Sequence, residues 1–479
     1  MALGNDSHRS QNILIRIADI AAGFIMAVPL ILFMLMKSIT GRKHSAPEIK
    51  KILILDMSYT IEMVRKRYLD QPILARDLSG YFDHVFSINP CATIIPPENG
   101  HETYGKISIT SFAPRHTIIE GKVGRFNALR HFPKLNFILS QWHLLLYLNN
   151  LINNEKISVL RAGDPYYLGL IGLGLSRANG IPCVFRIPIN YDLFYRLNGD
   201  LAFPRLFQKR WIEKIVDHFT LKRADLVAGA NQDGLNYAID NGVKEEFSTL
   251  LRVGNLIHPS HRVSPQMRPD AGDILKDLGL VNKNFSITIS RTEPLKQVDD
   301  VIRACGEVKR RGFDFSALII GDGSMSERLK VFSEEMGLID DVVFAGNKDQ
   351  EWISSVLPKA KVVISPFMGR GLTEAAMSGV PIVAYDIEWQ SEIIMTGVTG
   401  ELVEYRNWRA IADSVVRYLE NPAYAKRMGE NARATILEMM DPVKLTEHEI
   451  NQYEKLFRRY FNTKGSLLPV KDREDAAEL

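Results

Sequence analysis

Two cations stand directly behind an apolar run in "FSITISRTEPLKQVDD", where Arg291 and Lys296 follow the strand-like 285–290. Cations at the carboxyl end of a buried strand suit a diphosphate, and a solvated pair of loop charges is the plainer alternative. Downstream, "SPFMGRGLTEAAMSGVPIVAYD" reads as a strand end, a glycine turn through Gly369, Arg370 and Gly371, and a short helix with Glu374 in its first turn. An acid there is favoured by the helix dipole alone, or it accepts hydrogen bonds from a ligand. Between them, "IIGDGS" and "FAGN" are strands ending at Gly321, Gly323 and Gly346, where a backbone can approach a ligand closely.

These groups need elements that bring strand ends together. From "KILILD" (51–56) onward, strand-like and helix-like segments alternate. "HVFSIN", "KISITSF", "ISVLRAG", "PCVFRIPI", "ADLVAGA" and "STLLRVGN" predict the strands of a first half, with a long apolar helix near Phe137–Leu151 and a helix stopped at Gly180. A polar stretch around Pro259 to Pro269 predicts an interdomain linker, and a second series runs from "FSITIS" through "SALIIGDG", "DVVFAG", "KVVISPF" and "PIVAYD". Such alternation implies parallel sheets covered on both faces, with ligands at the carboxyl ends of the strands. The expected division is 46–262, 263–440, a helix at 441–463 packed back on the first half, and a disordered tail at 464–479.

With 479 residues, 46% apolar and 24% charged, the chain has room for two or three globular domains. A net charge of +3 argues against bulk nucleic-acid binding. Cys91, Cys183 and Cys305 are too scattered for a disulfide framework or a metal cluster.

The ordered set "SRTEPLK", "IIGDGS", "VVFAGN", "SPFMGRGLTEAAMSGVPIVAYD" and "GVTGELV" resembles the nucleotide-sugar domain of glycosyltransferase family 4, over roughly 285–440. The first half resembles the family more loosely, through "RAGDPYYLGLIG", "GIPCVFR", "KRADLVAGAN" and "LLRVGN". The resemblance implies an α/β GT-B fold, two Rossmann-like domains facing a cleft, and retaining transfer from a UDP- or GDP-linked sugar without a cofactor or metal. By position, Arg291 and Lys296 would hold the diphosphate and Glu374 the ribose hydroxyls. Gly369, Arg370, Gly371, Leu372 and Thr373 would line the donor beside Gly321, Gly323 and Gly346. Two departures stand out. Pro366 replaces a glutamate usual in the family, with Arg370 either covering part of its role or merely a surface arginine. "RIPINYD" offers Pro188, Asn190 and Tyr191 where a histidine is common. Asp164 is a candidate general base, or a strand-to-helix cap. A non-catalytic GT-B binding module and a nucleotide-sugar epimerase remain as alternatives.

At the N-terminus, "ILIRIADIAAGFIMAVPLILFMLMK" (13–37) carries no charge from Ile20 to Met36 and predicts a membrane helix, with 1–45 as membrane segment and linker. Its "RIADI" and "VPLILF" resemble the membrane segment of bacterial polyprenyl-phosphate sugar-phosphate transferases, which turns back at its proline, here Pro29. Basic, aromatic stretches at 114–134 and 203–219 suit an anionic membrane surface, or are ordinary amphipathic segments. The expectation is a membrane-anchored enzyme at the cytoplasmic face of the plasma membrane, using a lipid-linked polyprenyl-diphosphate glycan as acceptor in surface polysaccharide assembly.

Overall fold

The computed structural model describes residues 48–461, apart from 67, 95–102 and 204–205. The expected membrane segment at 13–37 and the tail at 464–479 lie outside the described residues. Among the described residues, no helix is long and apolar enough to cross a membrane.

The first sheet has eight strands: β1 (Lys51–Leu55), β2 (His84–Asn89), β3 (Ser108–Ala113), β4 (His116–Glu120), β5 (Val159–Ala162), β6 (Cys183–Ile187), β7 (Leu226–Gly229) and β8 (Ser248–Leu250). Their spatial order is β3-β4-β2-β1-β5-β6-β7-β8. All pairings are parallel except β3 with β4. The central strands are apolar on both faces because helices cover both. β4 is a strand that the sequence pattern hid. "HTIIE" lies inside the basic stretch 114–134, and its register with β2, Val85 opposite His116, and its antiparallel pairing with β3 set it in the sheet.

The second sheet is wholly parallel, with β9 (Asn284–Ile289), β10 (Phe315–Ile320), β11 (Val342–Gly346), β12 (Val362–Ser365), β13 (Ile382–Tyr385) and β14 (Glu401–Val403). Its order, β11-β10-β9-β12-β13-β14, puts β9 at the centre beside β10 and β12.

The proline-containing stretch expected as a linker is docked on the second domain. Ile257 and Ala271 join that domain's apolar core. The buried Arg268 guanidinium donates to the carbonyls of His261 at 2.6 Å, Met377 at 2.9 Å, and Val263 and Ser354 at 3.1 Å.

The chain then returns. The Pro442–Phe461 helix lays Tyr453, Leu456 and Phe457 on Ile52, Ile54, Val159 and Val184 of the first sheet. Its Glu449, 2% exposed, meets Arg161 at 3.1 Å and Arg186 at 3.5 Å. Removing one member of a buried ion cluster strands the others. Glu449→Ala is therefore expected to lower stability by about 3–5 kcal/mol, read as a fall in the urea midpoint at unchanged slope.

Candidate functional site

Three loops converge at the carboxyl ends of β10, β9 and β12. The loop after β9 carries Arg291 and Lys296, and it interlocks with the turn after β10. Ser290 N–H donates to Ile320 O at 2.9 Å, and Met325 N–H to Thr292 O at 2.8 Å. Ser324 Oγ donates to Glu293 at 2.5 Å, and the Thr292 and Ser326 hydroxyls meet at 2.6 Å. Gly321, at φ +129°, sits so close that a Cβ would lie 2.0 Å from Ser290 O; at Gly323 it would lie 2.7 Å from Thr292 O. The missing side chains of these two glycines admit the neighbouring loop. Gly346 serves Gly321 in turn, accepting its N–H at 2.9 Å.

The loop after β12 carries Gly369 and Arg370, followed by the Gly371–Met377 helix. A Cβ on Gly371 would meet Ile289 O at 3.0 Å, so the helix starts against the end of β9. Phe367 from this loop places its ring 4.5 Å from Lys296 Nζ. The loops therefore bring Arg291, Lys296, Gly369, Arg370 and Glu374 to one end of the sheet. Backbone donors are fewer than the sequence implied. Leu372 N–H is taken by Gly369 O at 3.0 Å and Thr373 N–H by Arg370 O at 2.9 Å.

Glu374 is 3% exposed and does not cap its helix. Its Oε1 lies 3.5 Å from Arg370 Nε. No other ion pair of this carboxylate occurs among the described residues. A buried carboxylate with spare lone pairs can accept from a diol.

Charge around Lys296 is finely balanced. Burial pushes its ammonium down to about 8, with Glu388 opposing the fall and Arg291 adding to it. Burial likewise raises the Glu388 carboxyl to about 7, against the pull of Lys296 and with Asp233 and Glu392 adding to the rise. Sequence reasoning missed Glu388. It sits in a short turn after β13 at φ +53°, a conformation that its residue type does not announce. It also missed Glu392, which accepts from Gln232 N–H at 2.7 Å and pairs with Arg252 at 2.6 Å, joining the two domains.

On the first domain, Asp164 is not delivered to an open site. It is buried and accepts the N–H groups of Tyr166 at 2.8 Å and Leu168 at 3.3 Å at the start of the Tyr167–Asn179 helix. Burial pushes its carboxyl up to about 7, those N–H groups opposing the shift. The geometry is that of the strand-to-helix cap. Asn190 is also structural, accepting from Asp192 N–H at 3.1 Å and Leu193 N–H at 3.0 Å.

Two facing parallel sheets with loops gathered at their carboxyl ends define a GT-B architecture. HepE of Anabaena, solved with UDP and glucose, superposes with a TM-score of 0.63 at 18% identity, over 85% of this chain and 100% of that one. Residues 272–435, within the second domain, match the family model of glycosyl transferases group 1. An alpha-D-kanosaminyltransferase of Streptomyces kanamyceticus is 31% identical over 32% of this chain and 41% of its own length. A GDP-mannose-dependent alpha-(1-6)-phosphatidylinositol monomannoside mannosyltransferase of Mycolicibacterium smegmatis is 30% identical over 34% of this chain and 46% of its own. The chain thus spans less than half the length of these two relatives.

Lys296 and Glu388, which act on one another electrostatically without forming an ion pair, are expected to make anion binding pH-dependent. A bound diphosphate favours charged Lys296 and neutral Glu388. Raising the pH through about 7 and then about 8 removes both advantages. Nucleoside-diphosphate affinity is expected to fall between pH 7 and 9, by up to about ten-fold per unit for each linked proton. Calorimetry on Lys296→Arg should lose the upper part of this fall, because arginine does not titrate there.

Proposed function

We propose that this protein is a retaining glycosyltransferase that takes a sugar from a UDP- or GDP-linked donor, without a cofactor or metal. The reading rests on one observation: Arg291 and Lys296, neither in an ion pair among the described residues, stand at the same sheet end as the underused Glu374 carboxylate. As the bond from the anomeric carbon to the diphosphate oxygen breaks, charge builds on the leaving group. Fixed cations stabilise that state more than the ground state. Glu374 accepts from the ribose hydroxyls, and Gly369 to Gly371 lie against the donor sugar. The group 1 match and the transferase relatives support the class of reaction.

The acceptor is proposed to be a lipid-linked, polyprenyl-diphosphate glycan at the cytoplasmic face of the plasma membrane, in surface polysaccharide assembly. The apolar run at 13–37 supports this reading, as does a relative named for a phosphatidylinositol mannoside acceptor. The Arg210–Leu221 helix adds a surface argument. Trp211 and Ile215 are 63% and 60% exposed and fall on one stripe with Phe219, next to Lys222 and Arg223. Aromatic and basic groups so arranged suit an anionic bilayer. Pro366, in place of a donor-site glutamate, favours the second reading, a non-catalytic binding module.

Glu374→Ala is expected to weaken nucleoside-diphosphate binding by about 1.5–3 kcal/mol, measured by calorimetry on a variant with an unchanged melt. Release of labelled sugar from a panel of nucleotide sugars, with membrane-extracted acceptors, separates the two readings, since a binding module transfers none. Deleting residues 1–45 is expected to leave donor binding intact while transfer to lipid-linked acceptor drops sharply, because the loss is one of proximity. Equal loss of both activities would count against an anchoring role.

A further inference from the structure

Under the returning Pro442–Phe461 helix, where β1, β5 and β6 end, lies a cavity of about 200 Å³ that the donor reading does not use. Its wall carries three guanidiniums, of Arg76, Arg161 and Arg186, and two carboxylates, of Asp56 and Glu449. Arg76 is paired with Asp56 and donates to Ser87 Oγ at 2.8 Å. Arg161 and Arg186 share Glu449, at 3.1 and 3.5 Å. The rest of Arg186 reaches only main-chain carbonyls, of Leu251 at 3.2 Å and Arg252 at 3.4 Å. The wall therefore holds one positive charge in excess.

A purely structural lock would match its charges and leave no room. Here an excess guanidinium faces a cavity whose remaining wall is largely apolar, with Leu256 and Pro188, and carries Ser58 and Tyr59 as its uncharged polar side chains. Buried charge in such surroundings calls for a partner, and guanidiniums pair best with a phosphoryl or carboxylate group. Pro188 stands at the end of β6, where the family resemblance expects a histidine near the reacting carbon, so the cavity lies on the side of the first domain that would receive the acceptor.

We infer that this cavity, walled by Arg76, Arg161 and Arg186, is an anion site that holds the phosphoryl group of the acceptor. The acceptor role rests on the transferase reading; anion binding itself does not. Arg186 supplies the open guanidinium, and Glu449 competes with the ligand for it.

The test is titration of the full chain with inorganic pyrophosphate and, separately, farnesyl diphosphate. Arg291→Ala and Lys296→Ala are present in every sample to silence the donor cations. Arg186→Gln is expected to weaken pyrophosphate binding at least ten-fold, and Glu449→Gln to tighten it several-fold. Unchanged affinity in both variants, or weakening in both, overturns the site. Should Glu449→Gln not fold, Arg186→Lys takes its place: binding kept by lysine and lost with glutamine upholds the site, and equal loss overturns it. Tighter binding of farnesyl diphosphate than of pyrophosphate identifies a lipid-linked source, and equal binding a free phosphate; both uphold the anion site. A protein that binds pyrophosphate this way but never transfers sugar sinks the transferase reading and leaves the site standing.

Discussion

Glu449 leaves water for the interior of a domain to which its own helix does not belong. A carboxylate so placed is tolerable only when cations and hydrogen bonds replace its hydration. Arg161 and Arg186 supply that replacement from adjacent strands of the first sheet. The apolar face beside them, with Ile52, Ile54, Val159 and Val184, takes Tyr453, Leu456 and Phe457 from the same helix. Apolar burial holds the helix down and the ion cluster sets where along the sheet it sits. Because this helix follows the second domain in the chain, the docking also ties the two sheets to one another, together with the Arg252–Glu392 pair and the Gln232 N–H bond to Glu392.

The second sheet solves a different problem. Arg291 and Lys296 must stay close without a carboxylate bonded to either, a costly arrangement. Backbone interlock carries that cost: the β9 loop is pinned to the β10 turn by main-chain bonds and by glycines that admit its carbonyls. The Phe367 ring face beneath Lys296 adds modest attraction. Glu388 tempers the charge by electrostatics from the far side of β13. A phosphoryl ligand would relieve the repulsion, which is what preorganisation for a leaving group requires.

Both domains therefore concentrate positive charge at the carboxyl ends of their central strands, by different means. In the second the cations are loop-borne and lack bonded counterions; in the first Arg161 and Arg186 rise from strands and Arg76 from a short helical turn, and they share too few carboxylates. Parallel strands end with their loops on one side, so each sheet has a single edge at which such groups can gather.

Much of this was legible in order along the chain. The apolar runs and glycine stops marked nearly every strand, and the spacing of Arg291, Lys296 and Glu374 behind two of them placed the candidate site at one sheet end, because period and turn chemistry are local properties. β4 was not legible: five residues in a basic stretch become a strand only through pairing with β2 and β3. Asp164 left two readings open in the sequence, general base or strand-to-helix cap, and the fold set it against the N–H groups of Tyr166 and Leu168. At Gly321 and Gly323 the sequence did not show that the neighbouring loop itself fills the space a side chain would take, since what approaches a glycine is set by the neighbouring strand. The sequence by itself determined which residues could do chemistry and which strands would carry them. Tertiary structure alone decided which charges act on one another, Glu388 on Lys296 through space and Glu449 on two arginines in direct ion pairs, because those encounters join residues far apart in the chain and depend on burial that no local pattern encodes.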